Sequence, residues 1–211
     1  TGMQDCTQCP ANSNSPTGSR IVDDCACWAG YGNNNEHPTE CMACEPGWYK
    51  PDPGMAKCTR CMANSISSRN ASTCCKCTVG YERDVTDICV ACGENKYNDE
   101  VAGECKSCPA HSVSGIGSVN ITDCACLPAF GNTGDDTCQS CTMGYYKNTT
   151  DNSECLRCPE NQTSTSDRLS CDCIDGHFYN TDTGGCQACA IGTFKKGIST
   201  PMSCNSCPLK S

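Results

Sequence analysis

Cysteine spacing constrains this chain more than any other property it has. A C-x2-C pair recurs at Cys6/Cys9, Cys58/Cys61, Cys105/Cys108, Cys155/Cys158 and Cys204/Cys207, with first cysteines 52, 47, 50 and 49 residues apart. A C-x-C follows at Cys25/Cys27, Cys75/Cys77, Cys124/Cys126 and Cys171/Cys173. A second C-x2-C closes each period at Cys41/Cys44, Cys89/Cys92, Cys138/Cys141 and Cys186/Cys189. Of 27 cysteines, 26 fit this grid and only Cys74 stands outside it. Self-similarity at such a period marks a repeat array. Three whole repeats read as 44–89, 92–138 and 141–186, flanked by partial repeats at 1–41 and 189–211.

The rest of the chain could not fill a core. Aromatic residues make up 6% of the 211, and mean hydropathy is -0.48. Covalent bridges must then replace apolar burial, and bridges persist only in oxidising compartments, which predicts an extracellular or cell-surface location. A net charge of -9 argues against nucleic-acid partners and against anionic membrane surfaces. No apolar run approaches the roughly 20 residues of a membrane span. The chain opens at Thr1 with no signal peptide, so a leader is expected upstream. Either end falls inside a repeat, and a longer array is expected.

Other residues keep step with the cysteines. After each C-x-C come Gly30-Tyr31, Gly80-Tyr81, Ala129-Phe130 and Gly176-His177-Phe178. After each repeat's first cysteine come Gly47-Trp48-Tyr49, Asn95-Lys96-Tyr97, Gly144-Tyr145-Tyr146 and Gly192-Thr193-Phe194. No helical period is sustained, and turn formers recur every few residues. Short strands and hairpins with little or no helix are predicted, with the aromatics packed on disulfides as the core of each repeat.

The run C-x-C-x2-G-[YF], with a later sixth cysteine, resembles the second half of an epidermal-growth-factor-like module. The longer pattern includes Cys6-Thr7-Gln8-Cys9-Pro10-Ala11-Asn12-Ser13, Cys105-Lys106-Ser107-Cys108-Pro109-Ala110-His111-Ser112 and Cys155-Leu156-Arg157-Cys158-Pro159-Glu160-Asn161. It is similar to ephrin-receptor-like or tumour-necrosis-factor-receptor-like cysteine-rich repeats, over essentially the whole chain. Such arrays are typical of surface and filament proteins of unicellular eukaryotes. The resemblance implies an elongated tandem array of small disulfide-rich modules. Met62 in place of Pro after Cys61, and the doublet Cys74-Cys75, depart from the pattern.

Spacing leaves the pairing open, since six cysteines allow fifteen connectivities. The growth-factor pattern implies Cys44–Cys61, Cys58–Cys75 and Cys77–Cys89. It continues as Cys92–Cys108, Cys105–Cys124 and Cys126–Cys138, then Cys141–Cys158, Cys155–Cys171 and Cys173–Cys186. The alternative joins neighbours, Cys44–Cys58 and Cys61–Cys75, and keeps Cys77–Cys89. Cys74 is then an extra thiol, open to an intermolecular bridge, unless it displaces Cys75 and leaves that residue spare.

Candidate chemistry beyond the scaffold is thin. Zinc sites need closed groups of reduced thiolates, and His37, His111 and His177 fall at unrelated positions and supply no recurring ligand. Nine C-x2-C copies in helix-poor sequence do not look like a thiol-redox centre. Acid pairs such as Asp23-Asp24 and Asp135-Asp136 lack the acidic cluster before the first cysteine that calcium-binding growth-factor modules carry. No catalytic constellation recurs, so neither enzymatic activity nor a cofactor is expected. Four sequons, at Asn70, Asn120, Asn148 and Asn161, predict N-linked glycans.

These features predict a structural rod of a secreted, glycosylated filament, coat or stalk, with other copies or neighbouring repeats as partners. The alternative is a receptor or adhesin ectodomain that holds a protein ligand, with Trp28 and Trp48 as its anchors. Only two residues separate successive repeats, at Met42-Ala43, Val90-Ala91, Gln139-Ser140 and Gln187-Ala188. Such short links predict a stiff array with a common rotation and rise per repeat.

Overall fold

The computed structural model describes residues 6–33, 39–74, 76–197 and 203–208. His37 and Cys75 lie outside the described residues. The chain folds as two compact units, one comprising residues 1–92 with 98–105 and the other residues 93–97 with 106–211. Both are built from short antiparallel hairpins, and the described residues hold no α-helix, only two 3-10 turns at Val22–Asp24 and Ile121–Asp123. The fold is a tandem array of small disulfide-rich repeats.

Twelve two-stranded sheets cover the described residues, and they are of three kinds that alternate along the chain. One kind follows the C-x-C, as in Phe130–Asn132 with Cys138–Ser140. The next carries the aromatic pair, as in Tyr145–Tyr146 with Leu156–Arg157. The third leads into the following C-x-C, as in Gln162–Ser164 with Cys171–Cys173.

One disulfide closes each hairpin. The first kind holds Cys27–Cys41, Cys77–Cys89, Cys126–Cys138 and Cys173–Cys186. The second holds Cys44–Cys58, Cys92–Cys105, Cys141–Cys155 and Cys189–Cys204. The third holds Cys9–Cys25, Cys61–Cys74, Cys108–Cys124 and Cys158–Cys171. Paired cysteines are 12–16 residues apart, so each bridge contributes about 3 kcal/mol in the chain-entropy account.

This corrects the interlaced pairing that the growth-factor resemblance implies. Cys44 joins Cys58 and not Cys61, and the same holds for Cys92 and Cys141. An antiparallel hairpin brings its two ends together, and the Cα atoms of paired cysteines lie 5.3–5.8 Å apart, within the range a bridge spans. Every bridge joins cysteines that are consecutive in the sequence, and no bridge encloses another.

Cys74 is also corrected: it is bonded to Cys61 and is not an extra thiol. Asn70 precedes Cys74 by four residues, as Asn120 precedes Cys124, so Cys74 holds the bridging place when the loop is counted from its amino-terminal side. Cys6 and Cys207 are unpaired and exposed.

The core differs from the predicted one. Cystine sulfurs fill it, with Cys27, Cys44, Cys77, Cys92, Cys126 and Cys173 almost wholly buried. Of the aromatics, Tyr97 is buried, whereas Trp28, Trp48, Tyr145, Tyr179 and Phe194 are each exposed by more than a third. The aromatic rings therefore do not form the interior that the sequence predicts.

Candidate functional site: the joint between successive repeats

The most regular feature of the array is the joint where one repeat meets the next. Here the turn after each C-x-C meets the residue after the following aromatic pair. In the first unit, the Gly30 amide donates to the Lys50 carbonyl at 2.9 Å, and the Gly80 amide to the Asn98 carbonyl at 2.8 Å. In the second unit, Ala129 donates to Lys147 at 2.8 Å and Gly176 to Lys195 at 2.9 Å. Each turn returns the contact through its own carbonyl, which accepts from the amides of Cys44, Cys92, Cys141 and Cys189 at 2.8–2.9 Å.

The turn geometry explains the residue choice. The Tyr31 amide closes on the Trp28 carbonyl at 3.0 Å, which sets Gly30 at φ 82°. A Cβ at Gly30 would also lie 2.2 Å from the Asn70 carbonyl oxygen, so this position excludes side chains on two counts. Ala129 shows that the third joint tolerates a Cβ at φ 68°.

Four polar side chains are buried at these joints: Lys50, Asn98, Lys147 and Lys195. The Lys147 ammonium reaches the carbonyls of Cys126 at 3.1 Å and Asp151 at 2.7 Å, and lies 3.3 Å from the Asp151 carboxylate. Lys50 repeats the pattern, with Asp52 carbonyl at 2.7 Å and Cys27 carbonyl at 3.5 Å, and Lys195 reaches the Cys173 carbonyl at 3.4 Å. Burial pushes the Lys50 ammonium below its ordinary range, partly offset by Asp52. Asn98 uses its amide instead, donating to the Tyr81 carbonyl at 2.7 Å and the Gly103 carbonyl at 3.1 Å while accepting from Glu100.

A buried ammonium is costly unless acceptors surround it, and here the acceptors are backbone carbonyls of two successive repeats. The sequence analysis singled out none of these residues. Their signal was present as Tyr49-Lys50, Tyr146-Lys147 and Phe194-Lys195, a lysine after an aromatic at the repeat period.

The other expected site residues fall elsewhere. Asn70, Asn120, Asn148 and Asn161 are all exposed. They occupy different local structures: Asn120 caps a 3-10 turn, accepting from the Thr122 amide at 3.2 Å, whereas Asn161 sits at a turn apex with φ 59°. Trp28 packs edge-on against Tyr31 with ring centroids 6.3 Å apart, and Trp48 is exposed. No group of three or more His, Cys, Asp or Glu among the described residues is arranged to hold a metal ion. No helix of the described residues is long and apolar enough to cross a membrane.

Comparison with known proteins agrees with this architecture. Residues 129–171 match the family described as tyrosine-protein kinase ephrin type A/B receptor-like. The chain is 29% identical to human laminin subunit alpha-3 over 132 residues, which is 60% of this chain and 4% of that protein. It is 31% identical over 152 residues to signal peptide, CUB and EGF-like domain-containing protein 2 of Danio rerio, covering 64% of this chain and 15% of the relative. Against cysteine repeat modular protein B of Toxoplasma gondii it is 30% identical over 133 residues, covering 57% and 2%. The chain thus spans a small fraction of the length of these relatives. Its dense bridging places it in an extracellular setting. Residues 129–171 thus resemble an ephrin-receptor-like cysteine-rich repeat, within a tandem array of small disulfide-rich repeats.

Proposed function

We propose that the chain is a structural segment of a secreted, glycosylated extracellular filament, coat or stalk, whose repeats act as stiff spacers without catalysis. The observation that carries this reading is the recurrence of one joint four times. The same amide-to-carbonyl bond, the same returning carbonyl and a buried polar side chain lie at each. A binding module would need one such surface to differ from the rest. Repetition of a joint at a near-constant period favours a spacer.

Negative-stain images of native material test the reading: a polymer or regular stalk is expected, and isolated compact particles would refute it. Scattering from this segment should exceed the roughly 17 Å radius of gyration of a compact chain of this length. A second reading, a ligand-holding ectodomain, is favoured by Trp28 and Trp48, which lie in the first unit 47% and 42% exposed. Under it, replacing either by Ala would abolish binding to a protein ligand and leave particle shape unchanged.

A further inference from the structure

We propose that the innermost N-acetylglucosamine of a glycan on Asn161 seats in a groove beside that residue and becomes part of the repeat's packing. The proposal rests on the glycosylation reading above and adds a site for the sugar. Asn161-Gln162-Thr163 is a sequon. Two turns flank the groove. One, Thr142 to Tyr145, closes through the Tyr145 amide on the Thr142 carbonyl at 3.0 Å, with Gly144 at φ 83°. The other, Pro159 to Gln162, closes through the Gln162 amide on the Pro159 carbonyl at 3.2 Å, with Asn161 at φ 59°.

The two turns are held together. The Cys158 amide donates to the Gly144 carbonyl at 2.8 Å, and the Gly144 amide donates to the Ser164 hydroxyl at 3.1 Å. Ser164 is itself 1% exposed and accepts from Arg168 at 2.9 Å. Between the turns lies an open groove of about 780 Å³, lined by Met143, Tyr145, Arg157, Pro159, Gln162 and Asn161. Met143 is 72% exposed and Tyr145 39%, so an apolar wall stands open beside the acceptor nitrogen.

The wall suits a pyranose. Its C–H face can lie on the Tyr145 ring and Met143, while hydroxyl and acetamido groups meet Arg157 and Gln162 at the rim. In attachment, Asn161 Nδ2 bonds the anomeric carbon of a lipid-diphosphate-linked oligosaccharide. The amide loses a proton and the lipid diphosphate leaves. The turn apex presents that nitrogen to solvent and leaves the groove within reach of the first sugar.

The test uses the chain secreted from a eukaryotic host, its glycans trimmed to a single N-acetylglucosamine, beside Thr163→Val, which keeps Asn161 but destroys the sequon. Peptide mapping should find the sugar on Asn161. The Cys158 amide should then exchange about three- to tenfold more slowly than in T163V. An NMR cross-peak should join the N-acetyl methyl to the Tyr145 ring, and Tyr145→Ala should erase the exchange difference. If T163V does not fold, enzymatically deglycosylated wild type serves as the sugar-free reference. An occupied Asn161 with unchanged Cys158 exchange and unshifted Tyr145 resonances would overturn the seat alone. A bare Asn161 would overturn both the seat and the glycosylation reading at that residue.

Discussion

Lys147 and Asn98 hold the same place in two repeats and solve the same problem with different chemistry. In both, the backbone carbonyl accepts from the turn of the preceding repeat at 2.8 Å. Beyond that bond they diverge. Lys147 extends an ammonium to the carbonyls of Cys126 and Asp151 and to a carboxylate, whereas Asn98 folds its amide onto Tyr81 and Gly103. The joint is therefore defined by its backbone, and the buried side chain has only to satisfy nearby carbonyls. Charge is one way to do that and a neutral amide is another. The charged version trades larger desolvation for stronger bonds.

The largest effect should come from breaking the backbone turn of a third joint, the one at Lys50. Gly30→Ala places a Cβ against the Asn70 carbonyl and strains a left-handed φ, and should destabilise the first unit by about 3–4 kcal/mol. Gly176 has the same role and φ 74°, but no atom lies within 4 Å of its added Cβ. Gly176→Ala should cost only about 1 kcal/mol. Urea unfolding of the two variants under non-reducing conditions measures the gap, and equal costs would refute the steric account.

Next comes the charged joint. Lys147→Met keeps length but strands the Asp151 carbonyl and leaves the Cys126 carbonyl with only the Asp151 amide, at about 2–3 kcal/mol. Exchange of the Ala129 amide should accelerate by roughly 30- to 150-fold if the joint opens locally. Asn98→Ala removes three neutral hydrogen bonds, and the Gly80 amide should accelerate about tenfold, for 1–2 kcal/mol. A larger loss at Asn98 than at Lys147 would show that charge adds nothing to the joint.

The smallest effect is acidic. Ser153 and Thr149 hydroxyls, the Ser153 amide and Lys147 hold the Asp151 carboxyl well below the usual carboxylate range. Hydroxyl and amide donors lower Asp84, Asp135 and Asp167 likewise. A folded pKa below the unfolded one means stability that is complete above about pH 4 and is lost as pH falls below it. The unfolding midpoint should be flat from pH 7 to about 4 and decline below, and Asp151→Asn should blunt that decline.

Much of this architecture was legible in the cysteines. Their grid marked the repeats, and the turn formers between them marked hairpins. Pairing was not legible, because a spacing of two or three residues lets either member of C-x2-C reach the same neighbourhood. Only the hairpin register decides that Cys44 meets Cys58. Cys74 was misjudged for a related reason: counting back from Cys77 selects Cys75, whereas counting forward from Asn70 selects Cys74. The joint was hidden differently. Lysines on polar loops are usually solvated, and nothing in Tyr146-Lys147 announces that two repeats supply carbonyls around the ammonium.

Because no bridge encloses another, the covalent skeleton has an unusual mechanical property. A path from Cys9 to Cys204 can run through twelve cystines, each spanning 5.3–5.8 Å between Cα atoms, joined by links of one or two residues. Tension applied along the chain would follow that path and bypass the loops between paired cysteines. Melting every hairpin would then release little length, since the slack stays locked behind sulfur. Such a chain behaves as an inextensible tether that can soften without stretching, until a reductant opens its links.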